Sequence, residues 1–199
     1  MMIVSFLASG QGSNFLATAK KIQSGYIKAK IGILVSDNDA PALRKAESIG
    51  VKSFRVNPKD YGSKADFEDE MIALFGHCKT DLIVAAGYMR ILSPRFVKAF
   101  ENRIINIHPS LLPAFPGRDA VKQAIEYGVK ITGCTTHFID EGTDTGPIIM
   151  QAAVTVLPND TASTLAKKIH AKEHKILPES IKLFCEGRLK INGRDVIIS

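Results

Sequence analysis

I-V-S-F-L-A-S-G-Q-G-S-N, residues 3 to 14, is a short apolar run that ends in a glycine turn, and from Phe15 to Ile22 the apolar residues adopt helical spacing. The stretch reads as strand, tight turn and helix N-terminus. The same alternation continues outward. Ile31 to Ser36, Lys52 to Val56 and Leu82 to Ala86 are strands; Pro41 to Ile49, stopped by Gly50, and Ser63 to Phe75 are helices. Ser93-Pro94 caps the next helix with proline in its first turn, and Asp119 to Tyr127 forms a further helix. Strands alternating with helices imply an α/β fold, a doubly wound and mostly parallel twisted sheet that binds ligands beyond the carboxyl ends of its strands.

After Gly128 the pattern changes. Thr132 to Phe138 and Ile148 to Val156 are β-rich and flank D-E-G-T-D-T-G-P, so antiparallel strands are expected in the second half. Ala162 to Phe184 reads as a long amphipathic helix that Pro178 should kink or break, and Asn192-Gly193 signals a hairpin. With no repeat and no linker, residues 1–199 are expected to form one domain, a phosphate-binding βα half (1–100) followed by a catalytic half (101–199).

Composition narrows the functions. Lys plus Arg number 26 against 20 Asp plus Glu, a scattered surplus that suits small anionic ligands. No basic run is interleaved with aromatics and Trp is absent, which argues against nucleic-acid binding. Cys78, Cys134 and Cys185 are far apart and odd in number, as in reduced cytoplasmic proteins. Nothing reads as a signal peptide or a membrane span.

Three constellations carry chemistry. Gly12, Ser13 and Asn14 stand where a βα turn offers backbone N–H groups to an anion, although a capped tight turn explains them equally. Phe15 occupies the place of the third glycine of a dinucleotide fingerprint, so NAD is not expected. The second constellation is I-I-N-I-H-P-S-L-L-P-A-F-P-G, residues 104 to 117. Asn106 and His108 leave the same face of a buried strand, either as a hydrogen-bonded core pair or facing a cavity, and Pro109, Pro113 and Pro116 stiffen the loop beyond. Asp144, in a glycine-rich loop, could reach the His108 imidazole or be an ordinary turn residue. The third is H-A-K-E-H at 170–174, which matches an inverted zinc-protease pattern but lacks an evident third ligand, so no metal is expected.

Taken together, N-I-H-P-S-L-L-P at 106–113, G-Q-G-S-N at 10–14, M-R-I-L at 89–92 and D-T-G-P at 144–147 resemble the phosphoribosylglycinamide formyltransferases, a folate-dependent family of purine biosynthesis with a Rossmann-like formyltransferase fold. The resemblance implies Asn106, His108 and Asp144 as catalytic residues. It implies Gly12, Ser13, Asn14, Asn106, His170 and Glu173 as contacts to phosphoribosylglycinamide. Lys64, Met89, Arg90, Ile91, Leu92, Asp140, Glu141 and Asp144 would then meet 10-formyltetrahydrofolate, the co-substrate. It further implies a cis peptide at Leu112–Pro113, a cytoplasmic enzyme that is a monomer or homodimer, and small-molecule substrates only. Lys64 stands where the family often has an arginine that reaches the folate tail, and His170 where lysine or glutamine is usual near the phosphate.

Related readings use the same formyl-folate core. A tRNA formyltransferase would be expected to carry a further carboxy-terminal domain, and a formyltetrahydrofolate hydrolase an amino-terminal one. A sugar-nucleotide formyltransferase shares the Asn-x-His and Asp elements, and a non-catalytic folate- or nucleotide-binding module is the alternative outside enzymes.

Overall fold

The computed structural model describes all 199 residues, which gather into two compact units, Met1–Ile105 and Asn106–Ser199. The first contains β1 (Met2–Leu7), α1 (Ser13–Gln23), β2 (Ala29–Ser36), α2 (Pro41–Ser48), β3 (Lys52–Arg55), a 3₁₀ turn (Pro58–Asp60), α3 (Lys64–His77), β4 (Leu82–Ala85), α4 (Pro94–Ala99) and the start of β5 (Ile104–His108). Its strands lie in the order β3-β2-β1-β4, with β5 beside β4. The pairs of β1 with β2, β2 with β3 and β1 with β4 are all parallel. The order reverses at β1, so the carboxyl ends of β1 and β4 flank the switch point where sheets of this kind hold ligands. Local packing explains the unusual first turn. Phe15 is buried edge-on against Phe6 with ring centroids 4.9 Å apart, filling the space that a third glycine would leave between helix and strand. Gly12 has a φ of 67°, and a Cβ there would come within 2.7 Å of the Ala42 Cβ, so the turn requires glycine.

The second unit contains the rest of β5, then α5 (Ala120–Tyr127), β6 (Ile131–Phe138), β7 (Ile148–Thr155), α6 (Ala162–Cys185), β8 (Leu189–Asn192) and β9 (Asp195–Ile198). Its larger strands follow the order β5-β6-β7, and β6 and β7 pair antiparallel, as the two β-rich runs led us to expect. Their register shifts between Thr136 and His137, a bulge that re-aims the side chains at the end of β6. Helix α6 starts at a reciprocal cap between Thr161 and Thr164 and buries Leu165, Ile169, Ile176, Leu177 and Ile181.

Of the two outcomes expected at Pro178, a break is not seen: α6 runs through it to Cys185. Proline removes a single N–H from a 24-residue helix, and burial of the flanking Ile176, Leu177 and Ile181 outweighs that loss. The hairpin forms with Gly193-Arg194 as its loop, because Asn192 still pairs with Asp195. Gly193 alone takes a positive φ, the pattern of a type II′ turn. No helix is long and apolar enough to cross a membrane, and all three cysteines are free thiols.

Candidate active site

Four polar side chains converge within the second unit. β5 presents Asn106 and the buried His108 from the same face, and Leu112–Pro113 just beyond is a cis peptide. His108 Nε2 lies 2.7 Å from the Phe115 carbonyl oxygen, and its Nδ1 lies 3.2 Å from Asp144 Oδ2. The Phe115 carbonyl can only accept, so Nε2 donates to it, and Nδ1 faces the carboxylate at ion-pair distance.

His137, fully buried at the end of β6, completes the group. Its Nδ1 donates to the Phe138 carbonyl at 2.8 Å, and its Nε2 lies 3.1 Å from the Asn106 amide nitrogen. The same amide reaches Asp144 Oδ1 at 3.5 Å, and His137 Nε2 stands 3.6 Å from that oxygen, so the ring and the carboxylate interact directly. Sequence reading passed over His137, although the argument used for Asn106 and His108, polar side chains on a buried strand, applied to T-T-H-F as well.

Asp144 is the hub. Burial pushes its carboxyl upward, but the His137 ring, the Gly117 N–H and the His108 ring together outweigh burial and hold it below the usual carboxylate range. The Gly117 N–H donates to Oδ2 at 2.7 Å. The loop that delivers Asp144 is closed by the Phe138 N–H on the Pro147 carbonyl, and Asp140 Oδ1 accepts from the Gly142 N–H and the Thr145 hydroxyl. Asp140 therefore braces this loop, whereas Glu141 is exposed beside it. A side chain at Gly146 would come within 1.9 Å of the Phe138 carbonyl oxygen. Phe115 and Asp144, on either side of His108, both take positive φ values of 53° and 55°. For a residue as bulky as phenylalanine this is a strained conformation, and it is the one that turns the Phe115 carbonyl toward the imidazole.

Also in the second unit, His170 Nδ1 lies 2.8 Å from Glu173 Oε2 on α6, and Glu173 is buried while His170 is half-exposed. The Glu173 hydrogen bond raises the His170 pKa, against an opposing effect of burial. Burial lowers that of His174. H-A-K-E-H thus has His170 Nδ1 held by Glu173, and no group of three or more His, Cys, Asp or Glu side chains is arranged to hold a metal.

In the first unit, Gly12 caps α1, and the first turn that follows, Ser13 and Asn14, presents backbone N–H groups at the positive end of an 11-residue helix. The Met89–Leu92 segment lies in the loop between β4 and α4. The Met89 N–H donates to Ser9 Oγ at 3.0 Å, Arg90 Nε lies 2.8 Å from the buried Asp37, and Lys64 Nζ donates to the Ile91 carbonyl at 2.9 Å. Leu92 is buried, whereas Met89 and Ile91 are exposed.

This assembly belongs with a known group of proteins. The family model described as formyl transferase matches residues 2–181. The chain belongs to the formyl transferase family. It is 46% identical over 176 residues to the phosphoribosylglycinamide formyltransferase of Bacillus subtilis, an alignment covering 88% of this chain and 90% of that protein. The glycinamide ribonucleotide transformylase 1 of Symbiobacterium toebii is also 46% identical and superposes with a TM-score of 0.98 over 100% of this chain and 94% of that one. The human trifunctional purine biosynthetic protein adenosine-3 is 40% identical across 96% of this chain, which spans 19% of its length. The fold and the transferase class follow from these relationships.

Proposed function

We infer that the chain transfers the formyl group of 10-formyltetrahydrofolate to the amine of phosphoribosylglycinamide, a step of purine biosynthesis. The observation that carries this reading is the convergence of Asn106, His108 and Asp144, with 3.2 Å between His108 and the carboxylate, in a chain so similar to phosphoribosylglycinamide formyltransferases. A neutral amine attacks the formyl carbon, the carbonyl oxygen becomes an oxyanion, and the bond to N10 of the folate then breaks as N10 gains a proton and the amine loses one. The Asn106 amide and the His108 imidazolium are the donors for the oxyanion. Asn106 is available because its contact to Asp144, at 3.5 Å, is at the long limit of a hydrogen bond. His108 must exchange the Phe115 carbonyl for the substrate oxygen, a short movement of one ring nitrogen. Asp144 holds the imidazolium and moves the proton from the attacking nitrogen toward the leaving one.

Binding roles follow the resemblance. Gly12, Ser13 and Asn14 take the phosphate, Glu173 and His170 the glycinamide nucleotide, and Met89, Arg90, Ile91, Leu92 and the Asp140–Asp144 loop the folate. Asp140 contributes by bracing the loop and Arg90 through its pairing with Asp37.

The decisive experiment is a formyl-transfer assay with phosphoribosylglycinamide and a 10-formylfolate, run on wild type, Asn106→Ala and His108→Ala. Removing one oxyanion donor costs on the order of 10²–10³ in turnover. Wild-type rates in either variant, or a wild-type chain that only hydrolyses the formyl-folate, would overturn the assignment.

A further inference from the structure

Lys64 and Glu68 lie one turn apart on α3, and both reach the segment that follows β4. Lys64 Nζ donates to the Ile91 carbonyl at 2.9 Å. The Glu68 side chain, only 4% exposed, accepts the Ser93 N–H at 2.9 Å on one oxygen and the Ser93 hydroxyl on the other. Lys64 Nζ stands 3.7 Å from the first of these oxygens. A carboxylate withdrawn from water is tolerated only when its oxygens are satisfied, and here one backbone N–H, one hydroxyl and one ammonium do so. The Ser93 hydroxyl also accepts from the Phe96 N–H at 3.2 Å, so the cap of α4 and the Glu68 contact are made by the same atom.

These contacts divide the labour along the segment. Ser9 and Asp37 hold its first two residues, Met89 and Arg90, from the ends of β1 and β2. Its far end is held from α3, through the Ile91 carbonyl and Ser93. Met89 and Ile91 both expose their apolar side chains on this segment, so a displaced Ile91 carbonyl shifts the apolar surface there.

We propose that Lys64 and Glu68 are positioning residues for the formyl donor: they fix the backbone of Ile91–Ser93, and Lys64 acts through the Ile91 carbonyl rather than by meeting a carboxylate on the donor's tail. This rests on the reading of Met89–Leu92 as a wall for the formyl-folate. It departs from the expectation that a cation at position 64 contacts the folate tail.

The test compares full-length wild type, Lys64→Met, Lys64→Arg, Glu68→Ala and Glu68→Gln with two donors, 10-formyltetrahydrofolate and its counterpart lacking the glutamate tail. Lys64→Met should raise the KM of both donors by a similar factor, on the order of tenfold, while the KM of the amine acceptor stays put and Lys64→Arg restores the donor KM. Amide hydrogen exchange at Ile91–Ser93 should quicken in Lys64→Met and Glu68→Ala. Should Glu68→Ala fail to fold, Glu68→Gln, which keeps an acceptor for the Ser93 N–H, should show the same change in smaller measure. A KM increase confined to the tail-bearing donor would overturn the proposal in favour of a direct tail contact, and unchanged exchange in every variant would overturn the clamp itself. A wild-type chain that binds neither donor would overturn the underlying functional reading. Amide exchange, which needs no substrate, tells that failure apart from loss of the clamp.

Discussion

Two histidine–carboxylate pairs lie within the second unit, and they differ in almost everything but composition. His108 and Asp144 are withdrawn from solvent, 3.2 Å apart, with the Phe115 carbonyl and the Gly117 N–H as further partners. His170 and Glu173 are closer, at 2.8 Å, yet the His170 ring is half-exposed and flanks a single helix. In the first pair the carboxylate is the perturbed partner, held ionised by two rings and a backbone N–H. In the second it is the imidazole, whose charged form the buried carboxylate favours. Proximity alone therefore does not mark a reactive site. What sets the two apart is the number of fixed groups around the pair and the water kept from it.

Breaking the first pair should have the largest consequence. Asp144→Asn should lower turnover by at least roughly 10²–10³ with a much smaller change in acceptor KM, read from steady-state kinetics. The pH profile sharpens this. The Asp144 carboxyl lies below its ordinary range when folded, so its charge, and the stability it adds, persist above the ordinary carboxylate range and are lost as pH falls through the lowered value. The part of the acid limb that follows the Asp144 carboxyl should disappear in Asp144→Asn, leaving the part set by protonation of the attacking amine.

Next in size is His137. His137→Leu strips the Asn106 amide of its 3.1 Å partner and should cost on the order of tenfold in turnover. His137→Gln, which keeps a polar group within reach of that amide, should recover most of it.

The second pair should respond more quietly. Glu173→Gln should move the NMR titration midpoint of His170 down toward the ordinary imidazole value, since the carboxylate is the main cause of its elevation. Smallest of all is His170→Ala. A raised imidazole pKa contributes stability that is complete below the unfolded value, about 6.5, and is lost as pH rises through the folded value. Denaturant unfolding should show wild type ahead of His170→Ala by less than about 1 kcal/mol at about pH 5.5, with no gap at about pH 8.5, because a half-exposed pair is screened by solvent.

The same contrast separates what could be read from the sequence from what could not. Asn106 and His108 announced themselves because a strand has a period of two and polar side chains are conspicuous among Ile104, Ile105 and Ile107. The alternation of β1 to α4 was legible for the same reason, as was the antiparallel run that follows. The backbone groups were not. The Phe115 carbonyl and the Gly117 N–H belong to the site because of where a proline-stiffened loop turns, and neither is encoded by side-chain identity. His137 is aimed by a register shift that periodicity does not reveal. Lys64 read as a cation for the folate, while the partner it takes, the Ile91 carbonyl, lies far along the chain. Pro178 misled because helix propensity is a local property, whereas α6 is held by the residues it buries.

The left-handed backbone at Asp144 has a practical consequence for anyone who would alter this protein. Among non-glycine residues, asparagine and aspartate enter that region of conformational space most readily, whereas branched and bulky side chains resist it. Asparagine thus silences the charge with little disturbance of the chain's path, while alanine or valine would confound lost chemistry with a displaced loop. The neighbourhood of sequences that keep this corner intact is narrow, and a library built around position 144 will sample function only through that small gate.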